Sequence, residues 1–220
     1  MRIVVAGGHG KIALRLERLL AGRGDTAVGL IRKPEQADDL RDIGAEPEVC
    51  DLESATVEQV AQILRGADGA VFAAGAGPGS GIARKQTVDH AAAVLFADAA
   101  ERAGVRRYLM ISAMGADSEP GPDMDPVFAA YLRAKGSADR DVRSRENLDS
   151  TVLRPGMLTD DPGTGRVELA EHTGRGSVTR DDVAAVLLAL LDTPSTAKLT
   201  LELINGGTPT EDAVRAVARR

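Results

Sequence analysis

Three small residues near the start of the chain have the spacing of a phosphate-binding turn. They are Gly7, Gly10 and Ala13. They lie between a short apolar segment, residues 2–6, and a helical pattern that starts at Lys11. The first glycine permits a tight turn, the second lets a pyrophosphate approach the backbone, and the alanine lets the helix pack closely on the sheet. Because helix N-termini favour negative charge, we expect a dinucleotide cofactor here.

Arg32 follows the second apolar segment, residues 26–31. An NAD-binding site usually has an acid at this point, which binds the ribose 2′-hydroxyl. A guanidinium can instead form charge-assisted hydrogen bonds to a 2′-phosphate. Glu35 is better interpreted as an acid in the first turn of the next helix. The pattern favours NADP over NAD, and the alternative is that Arg32 is an ordinary solvated charge.

Further candidate contacts follow two later strands. Asp51 and Leu52 come after the third predicted strand, and Ala73, Ala74 and Gly75 come at the end of the fourth. Ligands of open parallel sheets bind beyond the carboxyl ends of the strands. We expect Asp51 to contact the adenine amino group and Leu52 to pack on the adenine ring. The small residues are expected to let the backbone lie beside the ribose. Asp51 is equally interpretable as a helix cap.

Alternating elements position these residues. Strands are predicted at 2–6, 26–31, 46–50, 69–73, 106–111, 150–153, 166–170 and 198–204. Helices are predicted at 11–21, 34–43, 56–64, 83–103, 126–145, 180–191 and 210–219, with loops at 75–81 and 113–125. This order predicts an α/β Rossmann-type fold, a doubly wound parallel sheet with helices on both faces and a small C-terminal extension. We expect one domain over 1–220, in which 156–220 form a small substrate-side region.

Composition excludes several classes of partner. The net charge is -6, which argues against a nucleic-acid surface or an anionic membrane. No apolar run approaches the ~18 residues of a membrane span, and the N-terminus lacks a secretory pattern, so we expect a cytoplasmic protein. Cys50 is the single cysteine and is expected to be a buried residue at a strand end. The histidines lack metal-ligand spacing, so no metal is predicted.

The chain resembles the atypical short-chain dehydrogenase/reductases, the NAD(P)-binding group of epimerase/dehydratase-like and NmrA-like proteins. Beside the glycine motif and the strand-end residues above, the matching features are Val88-Asp89, the segment 108–115, the pair Tyr131 and Lys135, Arg154-Pro155-Gly156 and the segment 179–184.

The resemblance implies a catalytic set of Ser112, Tyr131, Lys135 and Asp89. Tyr131 and Lys135 match the family's Tyr-x-x-x-Lys pair, and four positions on a helix place both on one face. We expect the ammonium to lower the pKa of the phenol and to bind the nicotinamide ribose. Ser112 is expected to polarise a substrate carbonyl. Asp89 is alternatively interpreted as a residue that holds the Gly75 loop.

The full set of predicted cofactor contacts combines the pattern and the resemblance. It comprises Gly7, His9, Gly10, Lys11, Ile12, Arg32, Asp51, Leu52, Ala73, Ala74, Gly75, Ile111, Ser112, Tyr131, Lys135, Pro155 and Gly156.

Three functions remain open at this point. The first is NADPH-dependent reduction of a small carbonyl compound, with Tyr131 as proton donor. The second is a non-catalytic NADP(H) sensor that binds a partner protein. The third is a sugar epimerase or dehydratase, which the short segment after Arg154 disfavours. A homodimer is expected only by analogy with such folds.

Overall fold

The computed structural model describes residues 1–77 and 79–219. The strands are β1 (Arg2–Ala6), β2 (Thr26–Ile31), β3 (Glu46–Val49), β4 (Gly69–Phe72), β5 (Arg107–Ile111), β6 (Asp149–Pro155), β7 (Met157–Thr159), β8 (Arg166–Ala170), β9 (Ser177–Thr179), β10 (Thr200–Asn205) and β11 (Thr208–Pro209). The helices are α1 (Lys11–Gly22), α2 (Ala37–Asp42), α3 (Val57–Leu64), α4 (Ile82–Arg84), α5 (Ala92–Ala103), α6 (Pro126–Ser144), α7 (Arg180–Leu191) and α8 (Thr210–Val217). A π-helical segment, Lys85–Ala91, joins α4 to α5, and short 3₁₀ turns lie at Pro34–Gln36 and Pro194–Thr196.

A nine-stranded sheet in the order β11-β8-β10-β6-β5-β4-β1-β2-β3 forms the centre of the molecule. The strands from β3 to β10 are parallel, and β8 pairs antiparallel with both β10 and β11. The order β3-β2-β1-β4-β5-β6 is that of the Rossmann fold. The predicted α/β class is therefore confirmed. The C-terminal residues lengthen the same sheet at its antiparallel edge and add α7 and α8 to one face.

Two apolar layers cover the two faces of the sheet. One contains Leu16, Leu20 and Leu187, from α1 and α7, against the inward side chains of β1 and β6. The other contains Phe96 and Tyr108, from α5 and β5, together with residues of α3 and α6. Because each buried strand sends alternate side chains to opposite layers, the strands appear in the sequence as continuous apolar runs.

Two predicted helix starts are confirmed by side-chain caps. The Thr56 hydroxyl accepts the Gln59 N–H, and the Thr179 hydroxyl accepts the Asp182 N–H at 3.0 Å. Such caps satisfy donors that the first turn of a helix leaves free. The predicted helix over 83–103 is wrong in one detail, because the π-helical segment Lys85–Ala91 interrupts it between α4 and α5. Among the described residues, no helix is long and apolar enough to cross a membrane.

Candidate functional site

Gly7 and Gly8 are packed so closely that no side chain fits there. Gly7 has a φ of +79°, and a Cβ on it would lie 2.7 Å from the Ala74 Cα. A Cβ on Gly8 would lie 2.7 Å from the Gly29 Cα. The Gly10 N–H donates to the Gly7 carbonyl at 2.8 Å, which closes the turn. The turn that the sequence predicted therefore forms, and Gly8 and Gly29 are further small residues that it requires.

The N-terminus of α1 opens directly from this turn. Gly10 is its N-cap residue and supplies no side-chain cap, so the first N–H groups remain available to an anion. Ala13 is buried against the sheet, as its small size predicted. This cradle, which a Cβ would fill, fits the diphosphate of a dinucleotide.

A cleft of about 290 Å³, here called the glycine-loop cleft, lies at the carboxyl ends of β1, β2 and β4. Its walls contain most of the predicted adenosine-side residues, namely Gly7, His9, Gly10, Arg32, Asp51, Leu52, Ala73, Ala74 and Gly75. His9 Nε2 lies 2.6 Å from Asp39 Oδ2, and Asp51 Oδ1 accepts the Glu53 N–H at 3.0 Å. Asp51 thus shapes the turn after β3 and also faces the cleft. Cys50 follows β3, as predicted, but it is half-buried and lines the cleft, so its predicted full burial is wrong.

Two guanidinium groups border the glycine-loop cleft and share one carboxylate. Arg84 Nη2 lies 2.6 Å from Glu53 Oε2, and Arg32 Nη1 lies 3.7 Å from the same oxygen. The Thr87 hydroxyl donates to the other Glu53 oxygen at 2.6 Å. Hydrogen bonds from Arg84 and Thr87 lower the pKa of Glu53. The cation predicted at Arg32 therefore has a second cation beside it, which the sequence pattern did not reveal.

A second cleft of about 690 Å³, here called the tyrosine cleft, continues from the first through Gly10 and Ala73–Gly75. Predicted residues in its walls are Lys11, Ile12, Asp89, Ile111, Ser112, Tyr131 and Lys135. Residues that sequence reasoning missed are Lys85, Phe128, Leu158 and Arg180. Neither Pro155 nor Gly156 lines either cleft. Pro155 pairs with Leu203 across the sheet, and the Gly156 N–H donates to the Leu203 carbonyl at 2.9 Å.

Lys135 lies in the wall of the tyrosine cleft and has two polar partners. Its Nζ donates to the Ile111 carbonyl at 3.1 Å and lies 3.4 Å from Asp89 Oδ1. The other Asp89 oxygen accepts the Ala76 N–H at 3.4 Å. Asp89 therefore both neutralises Lys135 and holds the loop after β4, as its alternative interpretation predicted.

Tyr131 corrects one expectation. Burial raises its pKa, and the negative charges of Asp89 and Asp139 add to that rise. Lys135 Nζ lies 6.0 Å from the centre of the Tyr131 ring, and its charge is offset by Asp89. The pKa of Tyr131 is therefore shifted upwards, opposite in direction to the lowering by Lys135 that the sequence predicted.

Ser112 follows β5 and lies beside a buried ion pair. Arg154 contacts Asp139 Oδ2 at 2.8 Å and Asp117 Oδ2 at 2.7 Å. Burial raises the pKa of Asp139, and the adjacent Ser112 hydroxyl and the Arg154 charge offset part of that rise. The Ser112 hydroxyl forms no hydrogen bond of normal geometry with any described residue. Ser112 is buried in the wall of the tyrosine cleft, and its hydroxyl lies on the side of Asp139.

The chain matches a known protein family. Residues 7–194 match the model of the NAD(P)H-binding family. YhfK of Bacillus subtilis, named an uncharacterized sugar epimerase, is 33% identical over 216 residues, which are 98% of this chain and 99% of YhfK. A Bacillus halodurans structure described as an NAD-dependent epimerase/dehydratase is 34% identical with a TM-score of 0.90, covering 98% of this chain and 99% of that one.

A second solved structure points the same way. The oxidoreductase YlbE of Lactococcus lactis is 25% identical with a TM-score of 0.86, and the match covers 100% of this chain and 98% of that one. The family match, the relatives and the glycine cradle agree with one another. The chain therefore belongs to the NAD(P)H-binding family of epimerase-like and oxidoreductase-like proteins.

Proposed function

We propose that the protein is an NADP-dependent oxidoreductase that reduces a small carbonyl compound. The observation that carries the proposal is that the glycine-loop cleft and the tyrosine cleft form one continuous groove. This groove leads from the N-terminus of α1 to Tyr131, Lys135 and Ser112. The dinucleotide would supply the hydride when bound. The protein's own residues would hold the dinucleotide, orient the carbonyl group and deliver the proton.

The choice of NADP rests on the glycine-loop cleft. Arg32 and Arg84 lie on one side of it and share the single carboxylate of Glu53, so the three side chains leave one net positive charge. A 2′-phosphate would gain charge-assisted hydrogen bonds from both guanidinium groups. NAD has no group to match that charge.

Calorimetric titration of both dinucleotides tests this choice. Arg32→Ala and Arg84→Ala are each expected to weaken NADP binding by about 10- to 100-fold, the usual value of a hydrogen bond to a charged group, and to change NAD binding little. Arg102→Ala is the control, because Arg102 pairs with Glu58 and lies outside the residues that line the groove. Equal losses for NADP and NAD in the Arg32 variant would refute the assignment.

Proton delivery is assigned to Tyr131. An alkoxide formed from a carbonyl group is more basic than a phenolate, so even a phenol of raised pKa gives up its proton to it. The Ser112 hydroxyl would donate a second hydrogen bond to the same oxygen and stabilise its developing charge. Lys135 positions the pair through the Ile111 carbonyl and Asp89.

Steady-state NADPH oxidation over a panel of small aldehydes and ketones tests the reaction. Tyr131→Phe is expected to lower turnover by about 100-fold or more, the usual contribution of a general acid. Tyr108→Phe is a matched control, because Tyr108 is fully buried in β5 and its hydroxyl has no hydrogen-bond partner among the described residues. Equal rates for wild type and Tyr131→Phe would refute the role of Tyr131.

The same assay separates the other two functions. An epimerase returns the hydride to its substrate, so it would consume no NADPH overall. A redox sensor would show unequal affinities for NADP and NADPH and no turnover. The volume of the tyrosine cleft, about 690 Å³, favours a site that accepts a substrate beside the cofactor.

A further inference from the structure

Lys85 is a buried cation in the wall of the tyrosine cleft. It begins the π-helical segment, and only 8% of its surface is exposed. Its Nζ donates to the Gly77 carbonyl at 2.9 Å and lies 5.5 Å from the centre of the Tyr131 ring. An ammonium group has three donors, and the described residues provide a partner for one of them.

The other cations of the cleft have carboxylate partners. Lys135 pairs with Asp89, and Lys11 and Arg180 share Asp160 at 2.6 and 2.8 Å. The remaining cleft carboxylate, Asp125, caps α6 by accepting the Phe128 N–H at 2.8 Å. Among residues 1–77 and 79–219, no carboxylate oxygen lies within 4.0 Å of Lys85 Nζ. A buried charge is costly unless it is paired, and Lys85 lacks, among the described residues, the carboxylate partner that the other cations of the cleft have.

An apolar surface lies beside this cation. Phe128 stacks on Tyr131 with a ring separation of 5.9 Å and is 49% exposed. Ile12, Val127 and Leu158 add further apolar groups to the wall. An apolar or aromatic part of a ligand would lie on Phe128 while an anionic group reached Lys85.

We propose that Lys85 binds the carboxylate of the substrate, so the substrates are oxo acids with an apolar or aromatic side chain. This inference rests on the proposed carbonyl reduction, and it assigns the substrate class of that same site. The carboxylate would receive hydrogen bonds from the two free donors of Lys85. The carbonyl group would then lie towards Tyr131, because the lysine and the phenol ring are neighbours.

A binding experiment tests the proposal without turnover. Benzoate and benzamide have nearly the same shape and differ in charge, and each is titrated by calorimetry into wild-type protein in the presence of NADP. Benzoate is expected to bind about 10- to 100-fold more tightly than benzamide. Equal affinities, or no benzoate binding up to its solubility limit, would overturn the proposal.

Three variants identify the cation. Lys85→Gln removes the charge and keeps a donor for the Gly77 carbonyl, and it is expected to abolish the preference for benzoate. Lys85→Arg keeps the charge and should keep the preference. Lys198→Met is the control, because Lys198 contacts the Arg145 carbonyl at the opposite end of the sheet. A preference that survives Lys85→Gln would overturn the proposal.

Turnover distinguishes this proposal from the one on which it rests. NADPH oxidation is measured with phenylglyoxylate and with its methyl ester. Lys85→Gln is expected to lower kcat/KM for the acid by about 10- to 100-fold and to leave the ester nearly unchanged. Turnover of both compounds with equal losses in the variant would overturn the carboxylate role alone. A benzoate preference without any turnover would overturn the reductase function and leave the anion site standing.

Discussion

Glu17 provides a prediction that follows from burial alone. It lies in α1, is fully buried, and neither carboxyl oxygen has a hydrogen-bond partner among the described residues. One oxygen lies against the backbone of Gly29 and Gly8, so close that a Cβ on Gly29 would be 2.6 Å from it. Burial raises the pKa of Glu17 from 4.5 to about 8. The carboxyl group beneath the glycine turn is therefore protonated at neutral pH.

The consequence is a stability that falls as pH rises. Below pH 4.5 both the folded and the unfolded chain hold the Glu17 proton, so the full stability is present. Between pH 4.5 and about 8 the unfolded chain loses that proton and the folded chain keeps it, so the free energy of unfolding decreases. At about 1.4 kcal/mol per pKa unit, the loss across this window is about 5 kcal/mol.

Urea unfolding of wild type and Glu17→Gln measures this loss. The free energy of unfolding of the variant minus that of wild type isolates Glu17, since the other titrating groups are common to both proteins. We expect this difference to be larger by several kcal/mol at about pH 8.5 than at about pH 4.5, because the wild type loses stability as the pH rises and the variant does not.

Glu146→Gln is the control, because it replaces an exposed carboxylate by the same amide and leaves the buried carboxyl group of Glu17 in place. A Glu17→Gln difference that is constant between the two pH values would refute the buried, protonated carboxyl.

Three further predictions concern the groove and its supports. Gly7→Ala should abolish NADP binding in calorimetry and lower the thermal unfolding temperature, because its φ and the contact with Ala74 exclude a Cβ; Gly22→Ala, with open space around it, should not lower that temperature. Arg154→Met should cost about 3–5 kcal/mol in urea unfolding, because it leaves the buried Asp139 carboxylate without its cation; a loss below about 1 kcal/mol would count against this pairing. The pKa of Tyr131 is raised above the value of about 10 that is usual for tyrosine, so the pH profile of kcat/KM should show no tyrosine ionisation below about pH 10. A limb near neutral pH that vanishes in Tyr131→Phe would contradict that assignment.

Local features of the sequence predicted much of the fold. The strands of the central sheet are continuous apolar runs because they are covered on both faces, and their alternation with helices leaves few possible topologies. Thr56 and Thr179 act through neighbours three residues away, so their capping roles are visible in the chain itself. The glycine turn was predictable for the same reason, since its geometry depends on residues within one short segment.

Features that depend on distant residues were not predictable. The two-stranded sheet of β7 and β9 consists of strands of three residues each, which are too short for any hydrophobic pattern, and β8 lies between them in the sequence. The π-helical segment lies between two α-helices and contains neither Gly nor Pro, so its wider turn leaves no signal in the sequence.

The electrostatics of the site were also hidden from the sequence. Glu53 meets Arg84 across 31 positions, and Asp160 meets Lys11 across 149. The pKa of Tyr131 depends on burial, which the helical spacing of Tyr131 and Lys135 does not report. Motif spacing and the family resemblance predicted many of the cleft residues but missed Lys85 and Arg84 and wrongly added Pro155 and Gly156. The ionisation of these groups depends on contacts that form only in the folded chain.

The central claim is that the turn from Gly7 to Gly10 and the Arg32–Arg84 pair together bind a phosphorylated dinucleotide. Calorimetric titration of the purified protein with NADP and NAD tests it most directly. We expect NADP to bind with a Kd of about 1–10 μM and NAD to bind at least about tenfold more weakly, the value of one charge-assisted hydrogen bond. No measurable binding of either dinucleotide at millimolar concentration, or tighter binding of NAD, would contradict the claim.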